Sequence, residues 1–168
     1  MASPILRPVV VTDLLRPSGH ARMVEGEVPL DLRAGESQVR ATARVQATLL
    51  PSGEGVVSEI IVKVPASLAC SRCLTEWDEG VEVSARRLFT RVPDEDGYAI
   101  GPDDRLDLAP WVRDEVSVSL PDDPLCRPGC LGLCSVCGAD LNTAPCEGHS
   151  EQSSSPFAVL KDLFDSTS

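Results

Sequence analysis

Seven cysteines and one histidine stand at intervals that suit metal coordination. The order is Cys70-x2-Cys73, then 52 residues, then Cys126-x3-Cys130-x3-Cys134-x2-Cys137-x8-Cys146-x2-His149. Two residues between cysteines let a tight turn aim both thiolates at one tetrahedral ion. In Cys134-Ser135-Val136-Cys137-Gly138 the glycine lets the backbone turn back toward the sulfurs with positive φ. Such a knuckle needs a second pair arriving from another direction. For Cys134 and Cys137 the nearest pair is Cys146 and His149, after a turn at Asp140-Leu141-Asn142. The remaining four, Cys70, Cys73, Cys126 and Cys130, would then share a second ion. Closing the 52-residue interval is entropically expensive, so that ion would stabilise the fold substantially. A competing partition puts Cys126, Cys130, Cys134 and Cys137 on one ion, with Gly129 and Gly132 relaxing the short spacers. A third leaves the finger at 134–149 empty or weakly loaded.

The expected cofactor is Zn2+, two ions per chain in a structural role. A catalytic zinc keeps a position open for water, whereas these eight ligands fill two tetrahedra. A redox-sensitive zinc is the competing role. No segment approaches 18 consecutive apolar residues, so no membrane span is expected. Arg7 and Pro8 interrupt the apolar start of the chain, leaving no continuous signal-peptide core. The expected compartment is therefore the reducing cytoplasm, where an odd number of cysteines is better explained by metal than by disulfides.

The 168 residues carry a formal net charge of -11, and thiolate ligation of two zinc ions would take it to about -14. Acidity of that size opposes binding of the whole domain to nucleic acid or anionic membrane. Thirteen of the fifteen basic residues are arginine. Arg40 and Arg44 lie on a polar strand face, Arg72 and Arg127 lie within the cysteine pairs, and Arg86, Arg87 and Arg91 follow the first knuckle. Arg72 and Arg127, which the first site would bring near each other, read as offsets to a four-thiolate zinc before they read as a small phosphate-contacting patch.

The elements that must hold these ligands follow from periodicity. Arg22 to Leu30 reads as a short strand. From 38 to 50, Val39, Ala41, Ala43, Val45, Ala47 and Leu49 alternate with polar residues, the period of an amphipathic strand. Pro51 to Gly55 is a turn, and Val56, Ser58, Ile60, Val62 and Val64 share one face of the next strand. The two form a long hairpin with Cys70 to Cys73 at its far end. Val81, Val83 and Ala85 lead a third strand into Leu88-Phe89. The acidic run from Asp94 to Asp104 reads as a mobile loop without the spacing of a calcium site. Asp107 is the expected N-cap of a helix carrying Leu108, Val112, Val116 and Leu120, ended by Pro121 to Pro124. Thr12-Asp13 could cap a short helical turn. A Ser-rich linker, 150–155, leads to a short C-terminal helix bearing Phe157, Leu160 and Phe164.

His20 reads as a surface histidine, and Trp77 and Trp111 as core residues rather than stacking platforms. No Ser/His/Asp set, phosphate-binding glycine loop or paired-carboxylate motif occurs.

The fold class expected is α+β: an antiparallel, strongly twisted sheet with a long hairpin, one central helix, zinc knuckles and a short C-terminal helix. Residues 1–125 form the β-rich core domain with its helix, 126–149 a Cys-rich segment packed on it, and 150–168 the linker and terminal helix.

Several of these segments resemble the YceD family, also called large ribosomal RNA subunit accumulation protein. They are Cys70-Ser71-Arg72-Cys73-Leu74, Leu106-Asp107-Leu108, Val112 to Val116, Leu120-Pro121, Pro124-Leu125-Cys126, Gly132 to Asn142 and Pro156 to Leu160. The resemblance covers roughly residues 65–165. Many relatives have C-x-C where this chain has Cys146-Glu147-Gly148-His149. The resemblance implies a bacterial, non-enzymatic factor for large-subunit assembly that supports synthesis, processing or stability of 23S rRNA. Its partners would be ribosomal proteins or pre-ribosomal rRNA, with no small-molecule substrate. Rival functions are a zinc/thiol redox regulator, a zinc-ribbon transcription accessory protein, and a nuclease or hydrolase.

Overall fold

In a computed structural model of the chain, the described residues are 4–16, 19–144, 146, 148 and 149. They fall into two compact units, Met1–Cys130 and Leu131–Ser168. The expected serine linker and C-terminal helix lie outside the described residues.

The first unit is built on four long strands: β2 (Arg22–Ala34), β3 (Ser37–Ser52), β4 (Gly55–Ala69) and β5 (Glu76–Phe89). They pair antiparallel in sequence order, so each neighbour in the chain is a neighbour in the sheet. Two short strands, β1 (Val9–Val10) and β6 (Arg105–Leu106), make a separate antiparallel pair. One helix, α1 (Ala109–Ser119), completes the unit.

Alternation decides which face is covered. Val28, Leu30 and Leu32 of β2 and Val39, Ala43, Val45, Ala47 and Leu49 of β3 are buried. So are Val56, Ile60, Val62, Val64, Ala66 and Leu68 of β4. Helix α1 lays Trp111, Val112 and Val116 onto this inner face. Phe89 meets Trp111 edge-on at 5.3 Å between ring centroids, a favoured aromatic geometry. Ala41 is only half-buried and lies in the stretch between Gln38 and Arg44 where the β3–β4 register shifts. Ser58 occupies a core position with its hydroxyl unpartnered among the described residues.

The β2–β3 turn requires glycine. Gly35 has φ 53°, and a Cβ there would come within 2.4 Å of the Asp122 carbonyl oxygen. The Ser37 hydroxyl donates to the Pro121 carbonyl beside it. The turn is thereby docked against the segment that follows α1. That helix ends at Ser119 because Leu120, preceding Pro121, is extended.

Two local expectations change. The helix N-cap is Leu108, not Asp107, and Leu108 makes no capping hydrogen bond from its side chain. Asp107 instead accepts from the Ala109 amide at 3.0 Å, an Asx-type turn that uses its carboxylate before the helix begins. The acidic loop 94–104, expected to be mobile, is fastened. Arg87 pairs with Asp94 and Asp96 at 2.6 and 2.7 Å, Arg91 pairs with Asp104 at 2.5 Å, and Ile100 is buried. At the start of the chain, Thr12 to Leu15 forms a single turn, the Leu14 and Leu15 amides both donating to the Val11 carbonyl.

Candidate metal centres

The hairpin β4–β5 carries the first knuckle at its tip. Cys70 leaves β4, and its amide donates to the Thr75 carbonyl at 2.9 Å while the Leu74 amide donates to the Cys70 carbonyl at 2.9 Å. Leu74 takes φ 61° to close this turn. The second knuckle repeats the pattern. The Cys134 amide donates to the Ala139 carbonyl at 2.8 Å, the Gly138 amide to the Cys134 carbonyl at 2.9 Å, and Gly138 has φ 73°. The left-handed position after the second cysteine is thus built twice, once with glycine and once with leucine. The glycine was readable as a signal in the sequence; the leucine was not.

The segment after α1 delivers the opposing pair of the first set. The Ser71 amide and hydroxyl both donate to the Pro124 carbonyl, at 2.9 and 3.2 Å. Arg72 Nη1 donates to the Cys130 carbonyl at 2.9 Å. These bonds hold 124–130 against the knuckle. Cys70, Cys73, Cys126 and Cys130 consequently form one group whose sulfurs all lie within 4.8 Å of one another. Cys134, Cys137, Cys146 and His149 form a second group under the same limit. These are the two sets that local pairing predicts, and each lies within one unit.

The spacing fits a tetrahedral ion. Bonds of about 2.3 Å to a central zinc set sulfurs about 3.8 Å apart. Cys70 and Cys130 are separated by 3.8 Å, and Cys73 and Cys126 by 3.6 Å. A disulfide would draw them to about 2.05 Å, and all seven cysteines are free. In the second set Cys137 and Cys146 lie 4.0 Å apart, while His149 Nε2 lies 3.3 Å from Cys134 and 3.0 Å from Cys146. Either group could therefore hold a metal ion.

Their burial differs. Cys70 and Cys130 are buried, while Cys137 and His149 are exposed and Cys134 and Cys146 are half-buried. Backbone amides also sort the thiols. Hydrogen bonds from the Cys126, Cys73 and Arg72 amides lower Cys70 to about 6 against the opposing effect of burial. Amides of Cys137 and Val136 lower Cys134 to about 6 in the same way. The Thr75 hydroxyl, 3.2 Å from Cys73, is the main cause of a lowered Cys73. Cys126 is pushed up to about 12 by desolvation and then by the surrounding sulfurs of Cys73, Cys130 and Cys70. Four thiols crowded without a cation cannot all ionise, which is the electrostatic form of a site arranged for one. Both knuckles direct N–H donors onto their first sulfur, the outer support that holds ligating thiolates in place.

The other candidates stand apart from these groups. His20 is exposed and makes no hydrogen bond among the described residues. Trp111 is core; Trp77 packs half-buried at the edge of the core. Of the arginines, Arg72 donates to the Cys130 carbonyl, and four others pair with acids: Arg40 with Asp31, Arg86 with Glu59, Arg87 with Asp94 and Asp96, and Arg91 with Asp104.

No solved structure matches this chain. An uncharacterized Mycobacterium tuberculosis protein is 35% identical over 119 residues, covering 66% of this chain and 56% of its own length. An uncharacterized Mycobacterium leprae protein is 31% identical over 173 residues, covering 95% and 79% respectively. A maize protein, large ribosomal RNA subunit accumulation protein YCED homolog 1, chloroplastic, is 28% identical over 141 residues, covering 62% and 47%. The chain thus spans about half the length of the M. tuberculosis and maize relatives. The family model described as large ribosomal RNA subunit accumulation protein YceD matches residues 59–164, which include every residue of both Cys/His groups, and the chain belongs to the YceD family.

Proposed function

We propose that this chain is a cytoplasmic, non-enzymatic factor for large ribosomal subunit assembly, supporting synthesis, processing or stability of 23S rRNA. Each Cys/His group holds one structural Zn2+, bound by Cys70, Cys73, Cys126 and Cys130 and by Cys134, Cys137, Cys146 and His149. The observation that carries this reading is the pairing of YceD membership with two complete four-donor groups. Four protein donors saturate a tetrahedral zinc, so the metal supplies shape and not a site for activating water. No step of chemistry is assigned to it. Function then belongs to the surface that the knuckles hold.

The net charge of -11 favours protein partners over naked RNA. Basic ribosomal proteins are steered toward an acidic surface, while phosphodiester backbones are repelled. The test is depletion in cells followed by the ratio of 23S to 16S rRNA, with parallel binding assays on purified ribosomal proteins and naked 23S rRNA. A lowered 23S share and preference for the proteins are expected. Unchanged rRNA ratios would reject the assembly role, and tight binding to naked rRNA alone would reject the protein route.

A second reading, a redox-responsive zinc/thiol regulator, draws on the exposure of Cys137 and His149. It predicts zinc release under mild peroxide at concentrations that leave the fold intact. Co-purification with RNA polymerase would instead favour a transcription accessory role.

A further inference from the structure

The two edges of the four-stranded sheet are treated differently. On β2, the segment from Pro4 to Leu6 covers part of the edge: the Leu6 amide donates to the Glu27 carbonyl at 2.8 Å and the Glu27 amide to the Pro4 carbonyl at 2.9 Å. Gly26 is explained by this crossing, because a Cβ there would meet Leu6 at 2.9 Å. On the opposite edge, β5 runs 14 residues with, among the described residues, no strand and no backbone hydrogen-bond partner on its outer side. A long open edge is a template for another strand.

Gly80 sits near the middle of the exposed half of β5, and its Cβ would meet nothing within 4 Å. Its φ is not in the left-handed region. Among the described residues neither crowding nor backbone conformation calls for glycine there. Glycine in a strand leaves room for a ligand or another chain to approach; at Gly80, paired with Pro65, it opens the outer face beside the edge.

The charge around Gly80 has one sign. Glu76, Asp78, Glu79 and Glu82 are all exposed. Asp78 accepts from the Ser67 hydroxyl at 2.7 Å and Glu79 from Trp77 Nε1 at 3.2 Å. Among the described residues, only Glu82 of these four pairs with a cation, Lys63 at 3.1 Å. Trp77 and Val81 lie half-buried on the inner face of the same stretch. Charges on an edge repel uncharged or like-charged strands; here they are all acids, on both faces, with apolar contacts on one, so the strand they leave room for is a basic one.

We infer that the Glu76–Glu82 stretch of β5 is a docking edge for an extended basic segment of a partner protein, which adds to the sheet as a fifth strand. The segment alternates basic residues, set against the acids, with apolar ones set against Trp77 and Val81. Main-chain hydrogen bonds supply the pairing and side-chain alternation supplies the selection. A second copy of this chain is a poorer occupant. It brings the same four acids, and its Arg86 and Arg87 are held by Glu59, Asp94 and Asp96. The inference rests on the reading that the partner is a basic ribosomal protein.

The test uses the full zinc-loaded chain and a labelled peptide of about nine residues alternating lysine and valine, the length of a long natural strand. Fluorescence anisotropy reads affinity, and amide hydrogen exchange reads the edge. Expected are slowed exchange at alternate β5 amides on adding peptide, and no binding of the same peptide with glutamate for lysine. The double variant Glu76→Lys/Glu79→Lys should bind at least about tenfold more weakly, and Glu76→Gln/Glu79→Gln should fall between. Absence of binding, binding insensitive to these variants, binding without β5 protection, or concentration-dependent self-association through β5 would each overturn the edge. In cells, ribosomal proteins captured equally by wild type and the reversed-edge variant would sink the edge while leaving the assembly role intact. Failure of wild type to capture any would sink the assembly role, whatever the peptide does.

Discussion

Leu74 holds a left-handed conformation with φ 61° and is 59% exposed, so it stores backbone strain without burying its side chain. A non-glycine residue in this region costs roughly 1–3 kcal/mol. Part of the relief from glycine is lost to greater freedom of the unfolded chain, roughly 0.4–1 kcal/mol. Leu74→Gly should therefore stabilise the protein by about 1 kcal/mol, read as a raised midpoint in urea, while Leu74→Ala should give no gain. Ser58 offers a second test. Its hydroxyl is buried without a partner among the described residues, so Ser58→Ala should be neutral to stabilising by about 1 kcal/mol. A clear loss of stability on Ser58→Ala would show that the hydroxyl is satisfied in solution. Neither residue announced its role in the sequence. Ser58 fell on the inner face by alternation alone, and leucine gives no sign of positive φ.

Among the elements, the strands were legible because one face is buried. A one-residue slip would expose the whole row from Val39 to Leu49, so the pattern fixes the register. The helix start was not, because Asp107 can satisfy either a helix amide or the turn before it, one residue apart. The anchors of the acidic loop are not legible within it because Arg87 and Arg91 lie outside it in sequence. Desolvation raises the Asp94 carboxyl, but the Tyr98 amide and Arg87 outweigh it and hold Asp94 below its usual range. A depressed folded value stabilises above the unfolded pKa of about 3.9, and that contribution is lost as pH falls through the folded value. Protection factors of amides in residues 94–104 should therefore be raised at neutral pH and fall in acid before those of the sheet do. Asp94→Asn should give the unprotected loop at neutral pH. A loop equally protected at both extremes would show that Ile100 burial alone fastens it.

For the whole molecule, the first metal group joins β4 to the segment after α1 across the long interval between Cys73 and Cys126. Loss of that ion should destabilise the first unit far more than loss of the second, which closes a short loop of its own. Cys70→Ser should accordingly lower thermal stability of the sheet sharply, and Cys146→Ser should leave sheet amides protected. The eight residues and their grouping were legible from spacing; what spacing does not show is how the distant pairs meet, through Pro124 with Ser71 and Cys130 with Arg72. The most direct test is metal content of the purified chain by elemental analysis, with coordination read by X-ray absorption. The expected result is two zinc ions per chain, one bound by four sulfurs and one by three sulfurs and a nitrogen. A chain that folds with no zinc, or whose zinc carries a bound water in place of a fourth protein ligand, would contradict the account.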